Sequence, residues 1–309
     1  MKSPILAAAL LLAAATPAAA YTSYLLPEEF WATDDEVSIE AAFASEFFTP
    51  EIALSPEVAV SRPDVSRLSF DRVAVAHQAT TLETDLPAGG TYRITSGERL
   101  GRVATMVATE DGQWRELPEG ELAPPDLQTT TLQTVTLSDV YVTRGVPTRD
   151  VVDQPLGRLA LHPITHPNQI LAAQGFEVEV LFDNQPFANI PVVIYDSGDA
   201  DTDISTYVVT NEQGRAQINL PTAGQYLIAV RHRAEAPAGA EAAVQSYTTT
   251  LTFQAFDALP EQYDVAEREA EEAREQRRRG RRPARRSVGR QGFEAGRSRN
   301  VQRARATGA

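Results

Sequence analysis

The run VSIEAAF, residues 37–43, places an apolar side chain at every second position. Val37, Ile39 and Phe43 therefore share one face of an extended chain, and Glu40 lies on the other. Side chains two residues apart point the same way in a β-strand, whereas a helix turns them to different sides. We predict a strand that buries one of its two faces.

Similar runs continue through the first half of the chain and are separated by Pro- and Gly-rich turns such as LPAGG. Val, Thr and Tyr are frequent in them, as is typical of strands. The runs are RVAVAHQATTLE (72–83), GTYRITS (90–96), GRVATMVAT (101–109) and TTTLQTVTLSDVYVT (129–143). We predict an all-β first domain over 21–150, a β-sandwich, because alternating hairpins usually pack one face on a second sheet.

A second block of short strands occupies residues 156–257. Its runs are GFEVEVLFDNQPFANIPVVIYDS (175–197), TNEQGRAQINLPTAGQYLIAVRHR (210–233) and VQSYTTTLTFQAF (244–256). About seven strands with turn signals every 8 to 12 residues are typical of an immunoglobulin-like sandwich. The fold class is therefore all-β, with two β-sandwich domains in tandem.

The two ends of the chain differ from this body. Lys2, an apolar run and Ala18-Ala19-Ala20 form a secretory signal over 1–20, with cleavage expected after Ala20 and a periplasmic location. Residues 260–279 combine strong helix formers without an apolar stripe, which predicts a polar helix. The mix of Arg, Gly, Ser and Pro over 280–309 predicts a disordered basic tail.

The cysteine content excludes several kinds of site and anchor. The chain has no cysteine, so a disulfide framework, a lipid-anchored amino terminus, a thiol nucleophile and Cys-ligated zinc are excluded.

The charge of the chain is unevenly distributed. The net charge is −14, yet the segment beyond position 273 contains thirteen arginines and only two acids, Glu275 and Glu294. Such a basic tail suits anionic lipid or lipopolysaccharide phosphates. The alternatives are a tail that folds back on the acidic body of its own chain and a solvated extension without a function. Phe293 is its one aromatic residue, so it offers no stacking platform and we expect no nucleic acid partner.

Several stretches in this order resemble a family of periplasmic proteins of unknown function that is linked to nickel and cobalt uptake. They are YLLPEEF (24–30), VSIEAAFASEFFTPE (37–51), LPAGGTYRITSGERLGRVATMVATEDGQWRE (86–116), PLGRLALHPITHPNQI (155–170), GFEVEVLFDNQPFANIPVVI (175–194) and TNEQGRAQINLPTAGQYLIAV (210–230). The resemblance covers about 21–256. It implies an all-β fold with an immunoglobulin-like or transthyretin-like second domain, and a metal-uptake transporter or outer-membrane receptor as partner.

The same resemblance directs attention to the amino terminus that cleavage would create. Members of that family often begin with a histidine, whose α-amine and imidazole together suit nickel, copper or zinc. Tyr21 stands at this place here. Only its terminal amine remains as a donor, because a phenol is a poor ligand for these metals.

His162 and His166 in LHPITHPN are the next candidate metal ligands. On one extended strand, residues four apart share a face but lie about 13 Å apart, too far for one ion. A turn at Pro163 would bring them closer. The alternative is that both imidazoles line the junction between the domains and hydrogen-bond to backbone. We also expect His77, in an alternating strand, and His232, at a strand end, to be structural.

The acidic loop YDSGDADTDIS (195–205) is a candidate calcium site. Asp199, Asp201 and Asp203 stand at alternate positions, and calcium prefers clustered carboxylate oxygens. An EF-hand is excluded because Ile204 and Thr210 occupy the positions of its Gly and Glu. The alternative is a solvated acidic loop.

Two functional hypotheses follow from the sequence. No G-x-S-x-G, H-E-x-x-H or P-loop pattern is present, and we expect a protein that is not an enzyme. The first hypothesis is an exported binding or accessory protein in nickel or cobalt uptake, as the resemblance implies. The second is an envelope interaction module that docks on an anionic surface through its Arg-rich tail.

Overall fold

The computed structural model describes residues 21–261, apart from 110, 111 and 119. All of its secondary-structure elements in this range are β-strands, which confirms the all-β prediction. The predicted signal peptide and basic tail lie outside the described residues, as does the predicted helix over 260–279 except for its first two residues. No helix in the described range has the length and apolarity needed to cross a bilayer.

The described residues form 21 strands. The first twelve are β1 (Thr22–Pro27), β2 (Trp31–Ala32), β3 (Glu36–Ala44), β4 (Ile52–Ala53), β5 (Ala59–Ser61), β6 (Arg67–Leu68), β7 (Arg72–Val75), β8 (Thr80–Asp85), β9 (Gly90–Thr95), β10 (Arg99–Ala108), β11 (Trp114–Glu116) and β12 (Thr129–Arg144). The other nine are β13 (Leu159–Pro163), β14 (Ile170–Leu171), β15 (Phe176–Phe182), β16 (Gln185–Pro186), β17 (Pro191–Asp196), β18 (Tyr207–Val209), β19 (Arg215–Ile218), β20 (Gly224–Glu235) and β21 (Val244–Phe256).

The described strands make three sheets. A 12-stranded sheet has the main order β18-β17-β20-β21-β12-β9-β5-β6, with β2, β10, β11 and β14 attached to it. A 5-stranded sheet contains β1, β3, β8 and β7 in that order, with β4 paired to β3. A 4-stranded sheet joins β13, β15 and β16, with β19 also paired to β15. The strands of both predicted domains therefore meet in the 12-stranded sheet.

The long strand β12 makes this shared sheet. It pairs antiparallel with β9 of the first half and parallel with β21 of the second, Leu132–Val140 lying beside Val244–Thr252. Its alternate side chains enter different cores: Val140 and Val142 pack with the first half, and Tyr141 packs with the second. Because side chains alternate between the faces of a strand, one strand can serve both cores.

The 4-stranded and 5-stranded sheets cover opposite faces of the 12-stranded sheet. On β20, Ile228 contributes to the core beneath the 4-stranded sheet, and its neighbour Leu227 contributes to a core shared with β1 and β3. In that shared core, the ring of Phe47 lies 4.5 Å from the ring of Tyr195 on β17. The described body is thus built from three layers of strands.

The stretch RVAVAHQATTLE folds as two strands. We predicted His77 within one alternating strand, and this is wrong, because the chain reverses between β7 and β8. The amide of Ala76 donates to the carbonyl of Ala79 at 2.9 Å and closes the turn, which leaves His77 exposed at its tip.

Gly214 closes the turn between β18 and β19, and its φ of +72° is one that side chains with a Cβ rarely adopt. A Cβ added there would lie 2.7 Å from the Val180 carbonyl oxygen. We expect Gly214→Ala to lower the free energy of unfolding by roughly 3 kcal/mol, since both strain and a backbone clash result. Urea denaturation measures this loss.

Gly239 provides the matched control. Its φ is +89°, but no atom lies within 4 Å of an added Cβ. Gly239→Ala should therefore cost only the strain, about 1 kcal/mol. Equal losses for the two variants would show that the close approach at Gly214 does not matter.

Candidate functional site

His162 lies on β13 between two carboxylates. Its Nδ1 is 3.0 Å from Oε2 of Glu179, its cross-strand neighbour on β15. Its Nε2 is 3.3 Å from Oδ1 of Asp153. The sequence did not mark either carboxylate, because only the strand pairing and the turn before β13 bring them to the imidazole.

Asp153 is also bound by an arginine. Arg149 donates from Nη2 to Oδ1 of Asp153 at 2.6 Å, and the pKa of Asp153 is lowered chiefly by this hydrogen bond. Arg149 further donates to the carbonyl oxygens of Pro163 and Ile164. The group around His162 is thus a surface network of two acids, one imidazole and one guanidinium.

His166 has different partners from His162. Of the alternatives for this segment, one extended strand is wrong, because β13 ends at Pro163 and the amide of Gln169 closes a turn on the His166 carbonyl. His166 is buried, with Nε2 3.0 Å from the Thr148 carbonyl oxygen and 3.1 Å from Oγ1 of Thr91. Its Nδ1 accepts the amide of Asn168 at 3.2 Å. Nε2 therefore carries the proton, and neither nitrogen is open to a metal ion without loss of these bonds.

Burial lowers the pKa of His166 from 6.5 to about 4. Between these values the unfolded chain binds more protons than the folded one, so stability falls as the pH drops through this window. We expect the wild type to lose on the order of 3 kcal/mol relative to His166→Gln between pH 6.5 and 4. Urea unfolding at several pH values measures the difference, and parallel curves for the two proteins would contradict it.

The three aspartates of the acidic loop each have a separate partner. Oδ2 of Asp199 accepts the amide of Asp196 at 2.8 Å, and Oδ1 of Asp203 accepts the amide of Ser205 at 2.9 Å. Asp201 instead turns inward and is buried. Within residues 21–261 as described, no three His, Asp or Glu side chains are grouped as ligands for one metal ion.

Asp201 ties the amino-terminal strand to the second half of the chain. Its Oδ1 accepts Oγ1 of Thr22 on β1 at 2.7 Å and forms an ion pair with Arg231 on β20. Arg231 also donates to the Tyr195 hydroxyl at 3.0 Å. Burial raises the pKa of Asp201, and Arg231 opposes this rise. The site is a buried structural contact.

The other predicted ligands and histidines are dispersed. Tyr21 is exposed. His232 packs edge-on against Phe182 and Phe187, with ring centroids 4.8 and 4.7 Å away. Burial lowers the pKa of His232. This contact fits the structural role that we predicted for it.

A second buried ion pair was missed by the sequence analysis. Arg93 on β9 donates from Nε to Oδ1 of Asp139 on β12 at 3.2 Å, and both side chains are nearly inaccessible. The one available signal was Asp139 in the alternating run 129–143, where a charge occupies a position that the pattern assigns to the core side. Neither side chain of this pair lines the open cleft of about 380 Å³, whose walls include Leu220, Pro221 and Asp257.

Apolar side chains emerge at two open edges of the sheets. β18 is the last strand of the 12-stranded sheet and exposes Tyr207 and Val209, whose exposed fractions are 55% and 47%. β7 is the last strand of the 5-stranded sheet and exposes Val73 and Val75. Open strands with apolar side chains are able to pair with another chain. Alternation alone could not reveal them, because it does not show which strand ends a sheet.

Comparison with known families identifies the chain. Residues 18–234 match the family described as a domain of unknown function, DUF4198. The chain belongs to this family. The match spans most of the two predicted domains, and the family description assigns no activity.

Comparisons with individual proteins add little. No curated protein sequence matches the chain. Among solved structures, the D0-D1 domain of Intimin is 10% identical, covers 74% of this chain and 96% of its own, and has a TM-score of 0.19. A tetra-tandem repeat in the extending region of a large adhesion protein is 12% identical, covers 77% and 75%, and has a TM-score of 0.20. TM-scores this low support no conclusion about function.

Proposed function

We propose that this protein is an exported, non-catalytic binding protein of the periplasm that engages a partner through its surface. The observation that carries the proposal is the pair of open sheet edges with outward apolar side chains, Tyr207 on β18 and Val75 on β7. Val75 is 61% exposed. Exposed apolar groups on an unpaired strand cost solubility, and proteins usually protect such edges unless another chain covers them.

The buried ionisable groups support a binding role. Asp139 is held by Arg93, and Asp201 is held by Arg231. His166 has both ring nitrogens hydrogen-bonded within the fold. General acid–base chemistry needs a group that can reach a substrate proton, and these side chains are committed to structural contacts.

The sequence supports export to the periplasm. A short apolar run after Lys2 and the small residues before Tyr21 are typical of a cleavable secretory signal. Family membership adds no activity to this proposal, since the family is described as a domain of unknown function.

Photo-crosslinking in cells of the source organism tests the proposal. A benzoylphenylalanine introduced at Tyr207 or at Val75 should give an adduct of discrete mass on illumination, because each side chain points outward from an open edge. Asp126 and Glu241 are exposed positions in turns and serve as controls. Adducts are expected at one or both edges and not at the controls. The absence of any discrete adduct at either edge would refute the binding role.

Metal uptake is a second proposal, and His162 is the observation that favours it. Nε2 of His162 and Oδ1 of Asp153 are 3.3 Å apart, a separation that two ligands of one transition-metal ion can adopt. Arg149 opposes a cation there because it already pairs with Asp153. The terminal amine at Tyr21 is the other donor that we predicted.

Calorimetry on the untagged chain 21–309 separates the two proposals. If metal uptake is the function, His162→Ala should weaken nickel or cobalt binding by about tenfold, the effect of losing one good ligand contact. His166→Ala should leave the affinity unchanged, since that ring is bound within the core. Binding that neither variant alters would remove both histidines from the metal proposal.

A further inference from the structure

The backbone of β18 leaves hydrogen-bonding groups at the open edge. Its inner ladder to β17 uses the carbonyl of Thr206, which accepts the Ile194 amide at 2.9 Å, and the amide of Thr210, which donates to Ile190 at 3.0 Å. Residues in an antiparallel pair alternate between facing the partner strand and facing away. The amide and carbonyl groups of Tyr207 and Val209 therefore point away from β17.

No side chain of the usual protective kind guards this edge. Residues 204–210 read ISTYVVT and contain no proline and no charge. The nearby edge strand β16, in contrast, ends in Pro186. Proline, lysine and bulges are common means of protecting an edge strand from pairing.

Acidic residues flank the open strand on both sides along the chain. Asp196 and Asp203 precede it and are exposed, and Glu212 follows it and is exposed. The closest arginine after it, Arg215, faces Glu177 and Glu179 of β15 at 3.6 and 3.9 Å. Arg231 on β20 pairs with the buried Asp201 of the acidic loop. Among the described residues, no arginine therefore pairs with the exposed acids Asp196, Asp203 and Glu212 around β18.

From these features we infer that β18 is the docking edge for an extended, cationic segment of a partner protein. The segment adds as a further strand, taking backbone hydrogen bonds from Tyr207 and Val209 and placing apolar side chains against theirs. Its basic side chains lie near Asp203 and Glu212, where charge complementarity favours them over an acidic or neutral strand. This inference rests on the proposed binding function and specifies its partner.

The β7 edge provides a control with the same backbone geometry. The Ala76 amide bonds to the Ala79 carbonyl, and the ladder to β8 pairs Ala74 with Thr81, so Val73 and Val75 face outward. Among the described residues of β7 and β8, the only exposed ion pair joins Arg72 to Glu83. β7 is thus an open apolar edge with one exposed acid, Asp71, directly before it and none directly after it, so it lacks the acidic flank that Glu212 gives β18 on the carboxyl side.

Peptide binding to the chain 21–309 tests the inference. The probe is a ten-residue peptide of alternating arginine and valine. An acidic control replaces arginine by glutamate, and a second cationic control replaces valine by proline, which prevents pairing as a strand. We expect the arginine-valine peptide to bind and both controls to bind at least about tenfold more weakly.

Variants locate the site. Val209→Pro removes one outward amide and should weaken binding by about tenfold, whereas Val75→Pro should leave it unchanged. Asp203→Asn with Glu212→Gln keeps oxygen acceptors, including the one that binds Ser205, and should weaken binding by about fivefold at low salt. Tyr207→Ser tests the side-chain contact without altering the backbone. Unchanged thermal unfolding shows that each variant is folded.

Several outcomes would overturn the inference. They are equal binding of the arginine-proline peptide, equal effects of Val209→Pro and Val75→Pro, and no binding of the arginine-valine peptide. If the peptide fails while crosslinks form at Tyr207 in cells, the binding function stands and the cationic strand is wrong. If the cellular crosslinks also fail at both edges, the proposed function fails with it.

Discussion

The structure depends on a single strand whose two faces are buried in different cores. β12 sends Val140 and Val142 into the core of the first half and Tyr141 into that of the second. Its neighbours β9 and β21 come from different halves of the chain. Burial of apolar side chains on both faces strongly opposes slippage, because a shift by one residue would exchange the two sets of side chains. The two predicted domains are therefore held in register by a common layer.

Buried charges add a second constraint at the same junctions. Arg93 on β9 pairs with Asp139 on β12, and Arg231 on β20 pairs with Asp201 beside the first strand. Desolvation offsets much of the attraction in such pairs, so they are weak evidence for stability. Any alternative pairing of the strands would leave a charge buried without its partner, which is costly. These pairs therefore favour one arrangement of strands over its competitors.

Function is best sought at the surface that this arrangement leaves open. A large shared sheet must end somewhere, and its last strand β18 exposes Tyr207 and Val209 beside an acidic loop. The same loop sends Asp201 inward to anchor Thr22 of β1. This acidic loop therefore stabilises the fold through Asp201 and also forms part of the exposed surface beside β18. The histidines differ in the same way, since His166 is bound in the interior and His162 belongs to a surface network.

The sequence by itself determined the all-β class, because period-two alternation is a local property of each strand. The strand that contains Val37 and Ile39, and the strands after it, are recognisable from their own residues without knowing which strands they pair with. The partners of β12, the separation of His162 from His166 and the inward turn of Asp201 were decided only by the tertiary structure. These features join residues up to 179 positions apart, as in the bond between Thr22 and Asp201. Local patterns indicate which side of a strand is buried, but contacts between distant strands decide what that side meets and which edge remains open.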